Sequence, residues 1–244
     1  MRMRQPAHGF ASSGTATAAY TAAMTYVRDA LKHGLVVQRA LEQLWRLGID
    51  LRVSFLFREG VRPHQTDWPD LAREFPSSVL NAGNSADIAT IAGFESWRTE
   101  ERLRARLANG DLCIMLKNKG RIAGFTWADF VKVGDPVCDY ALAPGEAYLY
   151  DAVVAPEYRG RGLAGYMRAE SYRHLRAAGR HAFYSVSDCF NTPAIRFKQK
   201  LNAEIARLYL RIRLGKRVLG RWQLRDYDRR RAKTTVPRHE LEGT

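Results

Sequence analysis

The chain has 244 residues, enough for one good core or for a domain of ordinary size with an appendage. A hydrophobic fraction of 46% excludes a disordered chain, and no apolar run approaches the roughly 20 residues that span a bilayer. The 39 basic and 25 acidic residues leave a net charge of +14, which favours an anionic partner without choosing among a phosphate-bearing cofactor, nucleic acid, an acidic protein and a membrane surface.

The first residues, MRMRQPAHGFASSGTATAAY, carry two early arginines with no sustained apolar core behind them. A flexible leader and a cytoplasmic protein are expected rather than a secretory signal. Residues 27–47 place Val27, Leu31, Val37, Leu41, Leu44 and Trp45 on one helical stripe, with Gly48 as its stop. LRVSFLFR (51–58) alternates Leu51, Val53, Phe55 and Phe57 with Arg52, Ser54 and Arg58, as a half-buried strand does. The stretch 59–76, with Pro63, Pro69 and Pro76, reads as an irregular connection and as a domain boundary.

SSVLNA, from Ser77, is a short strand candidate, and Ser85 can cap a helix that runs through Gly93. A second helix over 97–108 stops at Asn109-Gly110. Strands follow over 112–117 and 121–129, then a loop holding Pro136 and Pro144, then the strand AYLYDAVV over 147–154. A glycine-rich turn opens the next helix, which runs to Ala178 with Gly179 as its stop. The strand AFYSVS and a helix over 192–201 come next. Two alternating runs, 205–214 and 217–225, flank Gly215-Lys216, a two-residue hairpin signal. Leu208, Leu210, Ile212, Leu214, Val218, Trp222 and Leu224 share one face of that hairpin. Arg207, Arg211, Arg213, Arg217, Arg221 and Arg225 share the other, which reads as a solvated face or as a binding face. The order predicts an α/β fold with a mixed sheet (α+β in its antiparallel parts), closing on the hairpin. Three segments are expected: an extension over 1–76, the main domain over 77–225 and a basic tail over 226–244.

Several chemistries lack their residues. Cys113, Cys138 and Cys189 form no CxxC pair, and the six histidines show no HxxxH or HExxH spacing, so no metal site is expected. Gly160, Gly162 and Gly165 match the dinucleotide fingerprint G-x-G-x-x-G. Pro156-Glu157-Tyr158-Arg159 separate the strand from the first glycine, however, and too few strand–helix units follow for a dinucleotide sheet. A Walker A loop fails because Tyr166-Met167 stand where Lys and Ser or Thr are required. What remains is a turn from Arg159 to Ala164 whose glycines admit a ligand close to the backbone, at the positive end of a helix, where a pyrophosphate fits.

The run VVAPEYRGRGLAGYM resembles motif A of the GCN5-related N-acetyltransferases, in which a V-x-P strand precedes R/Q-x-x-G-x-G/A. Asn191, Ala194 and Phe197, on the next helix, resemble motif B of that family. The resemblance covers about residues 77–225. It implies an acyl-CoA, most simply acetyl-CoA, held between two splayed central strands while a primary amine attacks the thioester directly. The backbone of Val153, Val154 and Ala155 would bind the pantetheine. Arg159, Gly160, Arg161, Gly162, Leu163 and Ala164 would hold the pyrophosphate, and Asn191 would reach the pantetheine arm. Such a reaction develops an oxyanion, needs a neutral amine and expels a thiolate.

Lys198 stands where the family often has a Tyr that protonates the thiolate, and could donate a proton itself. The base is open among Tyr150, Asp151 and Glu146. Neighbouring strand residues face opposite ways, so only one of Tyr150 and Asp151 should see the cleft unless a bulge intervenes. Asp151 is preferred, with a purely structural role equally open to it. The acceptor side, over 85–108 and 131–146, offers only a mixture that includes Glu95, Asp135 and Asp139.

Two other classes fit the same residues. One is a non-catalytic acyl-CoA-binding or interaction module, which the Lys198 departure supports. The other is an acyltransferase that takes its donor from an acidic acyl carrier protein. Expected partners are a small-molecule or peptide amine, an acidic protein or anionic surface at the hairpin, and a second copy of the chain. Nucleic acid is not expected, because no recognition motif accompanies the arginines.

Overall fold

The protein is described by a computed structural model over residues 43–61 and 67–228. The leader, most of the helix expected over 27–47 and most of the tail over 226–244 lie outside the described residues. The described elements belong to the compact unit Leu51–Thr244, with the first strand beginning at Ile49. Ten strands and five helices follow in chain order among the described residues. They are β1 (Ile49–Glu59), α1 (Pro69–Glu74), β2 (Ser77–Val79), α2 (Ser85–Ala92), α3 (Glu100–Ala108), β3 (Leu112–Asn118) and β4 (Arg121–Asp129), and then β5 (Lys132–Asp135), β6 (Cys138–Ala141) and β7 (Glu146–Val154). The chain continues with α4 (Leu163–Ala177), β8 (Ala182–Asp188), α5 (Thr192–Lys200), β9 (Glu204–Leu214) and β10 (Arg217–Asp226).

Eight strands form one mixed sheet in the order β10-β9-β1-β8-β7-β4-β3-β2, and β5 and β6 form a separate ribbon. β7 and β8 pair in parallel, which the crossover through α4 requires. Asn84 and Thr99 cap α2 and α3 by accepting from the N–H groups of Asp87 and Arg102. These helices bury Ile88, Ile91 and Leu103 against Phe125 and Trp127 on one face of the sheet. On the other face α4 buries Tyr172 and Leu175 against Leu149 and Phe183.

Two expectations need correction. The strand over 51–58, assigned to an extension, lies inside the sheet and pairs antiparallel with β8 from Ser54–Asp188 to Glu59–Phe183. Leu56, Phe57 and Glu59 are all fully buried, as befits a strand with neighbours on both sides. The boundary at 76 therefore does not separate an appendage from the sheet. The second correction concerns the hairpin. Arg211 is only 7% exposed, and Arg207 lies 5.8 Å from the Tyr140 ring and 3.8 Å from Asp226. On the edge strand β10 the apolar Val218, Leu219, Trp222 and Leu224 meet solvent together with Arg217, Arg221 and Arg225, and two register shifts break the alternation between faces. The arginines do not form one solvated face.

Candidate functional site

The parallel ladder between β7 and β8 holds for three pairs, from Glu146–Ala182 to Tyr148–Tyr184, and then stops while both strands run on. The strands therefore part beyond Tyr148 and Tyr184. A bulge accompanies the parting: the register between β4 and β7 shifts between Phe125–Val153 and Trp127–Tyr150. Thr126 Oγ1 donates to the Tyr150 carbonyl at 3.1 Å, and Asp151 takes a left-handed φ of +49°. Asp is among the few residues that accept this conformation readily.

Beside the parting lies a cavity of about 850 Å³. From α4 and its turn it is lined by Arg159, Gly162, Ala164, Gly165, Met167 and Arg168. Ala152, Val153 and Val154 of β7 form a second wall, and Asn191, Ala194, Phe197 and Leu201 form a third. Trp68, Glu95, Pro193 and Lys200 complete it.

The turn has the geometry that its glycines predict. Gly160 and Gly162 have φ of +78° and +81°, and a Cβ on either would meet nothing within 4 Å. Their role is backbone conformation and open approach rather than tight packing. Gly162 caps α4 without a side-chain bond and the Gly165 N–H donates to the Gly162 carbonyl, so the N–H groups of Leu163 and Ala164 are left for an anion. Arg159 lines the groove with its Nε donating to the Val154 carbonyl at 3.1 Å. The neighbouring residues turn elsewhere. Arg161 pairs with Glu74 at 2.6 Å and lies over the Phe75 ring, while Leu163 is buried in the cluster that contains Phe75.

The Ala155 N–H donates to the Ala123 carbonyl at 2.9 Å, so it belongs to the sheet and is not available to a ligand. Alternation along the strand then leaves the Val154 peptide groups facing the opening. Asn191 lines the groove, and its Oδ1 caps α5 by accepting from the Ala194 N–H at 3.2 Å. Its amide NH2 is the group left for a ligand.

None of the expected proton-transfer groups lines the groove. Asp151 is 7% exposed, and its carboxylate is clamped by Arg98 at 2.6 Å and Arg106 at 2.8 Å. Those guanidiniums stack in turn on Trp97, Phe125, Trp127 and Tyr150. Both carboxylate oxygens are engaged by guanidiniums, so the bulged Asp151 anchors Arg98 and Arg106 rather than facing the groove. The Tyr150 hydroxyl donates to Asp111 Oδ2 at 2.5 Å; burial and that bond push the phenol far above its ordinary range. Glu146 accepts from the Ala143 N–H and the Tyr184 hydroxyl. The carboxylate that does line the groove is Glu95, on the connection between α2 and α3.

Lys198 points away from the groove, into the core between α5 and the sheet. It is 2% exposed, donates to Ser187 Oγ at 2.6 Å, and stands 3.8 Å from Glu59 and 4.7 Å from the Phe57 ring centroid. Burial pushes its amine down to about 7 against the opposing pull of Glu59. Glu59 is itself fully buried. Burial would raise its carboxyl, but Arg168, Lys198 and the hydroxyls of Ser185 and Tyr172 hold it below the ordinary range.

Sequence reasoning passed over Arg168, although a signal existed. Arg168, Tyr172 and Leu175 recur at i, i+4 and i+7, the spacing of a buried helix face, and all three are buried. Glu59 gave no such sign, because its burial depends on β1 entering the sheet.

The model of the acetyltransferase (GNAT) family matches residues 72–203. A GCN5-related N-acetyltransferase from Sphaerobacter thermophilus is similar at 17% identity and a TM-score of 0.50, over 76% of this chain and 56% of that one. A putative GNAT acetyltransferase from Novosphingobium aromaticivorans is 20% identical, with a TM-score of 0.48 over 70% of this chain and 68% of that one. No curated protein matches the sequence.

Proposed function

Because the chain belongs to the GNAT acetyltransferase family, we propose that it transfers an acyl group, acetyl in the simplest case, from coenzyme A to a primary amine by direct attack. The observation that carries this reading is the groove where β7 and β8 part, headed by the uncapped N-terminus of α4. The residues present suit coenzyme A. Arg159, Gly162 and the first-turn N–H groups of α4 would hold its pyrophosphate, and Val154 and Asn191 its pantetheine arm. Bound there, coenzyme A supplies an acyl thioester for the amine to attack.

In the transfer a bond forms between the amine nitrogen and the acyl carbon, the bond from that carbon to sulfur breaks, and the ammonium proton must leave. Glu95 is the groove's carboxylate and takes that proton, directly or through water. The Val154 N–H faces the opening, where it can donate to a carbonyl oxygen as charge builds on it. A thiol has a pKa of about 8.5, so the thiolate leaves without a dedicated acid, and Lys198 is not needed for one.

The test has two parts. Coenzyme A should raise the melting temperature and NAD should not; at 100 times the dissociation constant the stabilisation is about 2.7 kcal/mol. Thiol release from acetyl-CoA should then accelerate with some members of a primary-amine panel. A melt raised only by NAD would overturn the reading. Coenzyme A binding with no acceptor-dependent thiol release across the panel would favour a non-catalytic binding module.

A further inference from the structure

Arg168 lines the groove at only 4% exposure, yet its Nη1 has no hydrogen-bond partner. Its Nε faces Glu59 Oε2 at 3.5 Å, and its Cζ lies 5.9 Å from the Phe197 ring centroid. A buried N–H of a charged group is costly to leave unmade, so an unpartnered guanidinium nitrogen in a groove wall marks the place of an acceptor that arrives from outside.

The carboxylate beside it cannot satisfy that nitrogen as well. Glu59 stands between Arg168 at 3.5 Å and Lys198 at 3.8 Å. Its oxygens already accept from the hydroxyls of Tyr172 and Ser185.

The position of Arg168 says which part of a ligand it meets. From the turn inward, α4 contributes Gly162, Ala164, Gly165, Met167 and finally Arg168, while β7 contributes Val154, Val153 and finally Ala152. Glu59 is in register with Phe183 and bonds Ser185, on either side of Tyr184, where the ladder to β7 ends. The guanidinium is thereby pinned near the point where the strands part. The anion cradle stands at the opposite end, at the start of the helix.

We propose that Arg168 is a specificity-determining residue that receives the free carboxylate of a dicarboxylic acyl group, so that the groove prefers an acyl-CoA of this class to acetyl-CoA. The proposal rests on the coenzyme A reading above and concerns only the far end of the donor. An acetyl methyl offers no acceptor to Nη1, whereas a carboxylate makes a charge-assisted bond there.

The test measures dissociation constants of the full chain for free coenzyme A, acetyl-CoA, butyryl-CoA and succinyl-CoA, the last two matched in chain length. Succinyl-CoA should bind wild type about tenfold or more tightly than butyryl-CoA. In Arg168→Met that ratio should fall to about one. Arg168→Lys, which keeps a cation beside Glu59 without the forked donors, should also reduce it. The ratio is taken within each protein, so a general loss of stability does not mimic the effect. Should both variants fail to fold, the wild-type ratio decides alone. Equal binding of the matched pair by wild type, or a preference that survives Arg168→Met, overturns the proposal. Acetyl-CoA and succinyl-CoA binding equally well and both weakened by Arg168→Met would assign Nη1 to the thioester carbonyl, and overturns it too. Failure of wild type to bind coenzyme A itself would instead remove the reading beneath it.

Discussion

Raising the pH from about 7.5 to about 8.5 tests the buried lysine of α5 directly. Lys198 gives up its proton near pH 7 in the folded protein, because burial outweighs the attraction of Glu59, while the unfolded chain holds that proton to about pH 10.5. Between those values the unfolded chain binds more protons, so this residue makes stability rise with pH. The difference is most of one proton across the interval, and one pKa unit is worth about 1.4 kcal/mol, so Lys198 should add about 1 kcal/mol. The three thiols act in the opposite sense. Burial pushes Cys189 to about 11, Cys138 to about 12 and Cys113 higher still, so the unfolded chain loses those protons first. Lys198→Met cancels their contribution, since wild type and variant share all three. Urea denaturation of both proteins at the two pH values should show wild type gaining about 1 kcal/mol on the variant as pH rises. An unchanged difference between the two proteins would refute the neutral, buried amine.

Three further outcomes are expected. Gly162→Val should cost about 1–2 kcal/mol, because a branched side chain resists the φ of +81°, and should abolish the melting shift with coenzyme A; thermal melts with and without ligand read both effects. Asp151→Asn should destabilise by about 3–5 kcal/mol in urea, because it leaves Arg98 and Arg106 buried without their anion; a stable but inactive variant would restore Asp151 as a base. Glu95→Gln should lower kcat by about 10²–10⁴-fold with little change in coenzyme A affinity, as loss of a general base does; stopped-time thiol release across a pH series checks this, and unchanged turnover would exclude Glu95.

What the sequence determined by itself was local. The helix stops at Asn109 and Gly179, the Gly215-Lys216 turn and the left-handed glycines of the 159–164 turn act over a few residues, where backbone sterics decide the outcome. The cap expected at Ser85 is supplied by Asn84 instead. Arg159, Gly162 and Ala164 were legible in the same turn and Asn191 through its resemblance to motif B, and all four line the groove. Tertiary structure decided what depends on distant partners. Asp151 lost its freedom to Arg98 and Arg106, 53 and 45 residues away. Lys198 turned from the groove because β1 brought Glu59 beneath it. Arg168 acquired an unsatisfied nitrogen in the groove through the same strand. No window of sequence contains these encounters, since a charged side chain takes its character from whatever the fold packs against it.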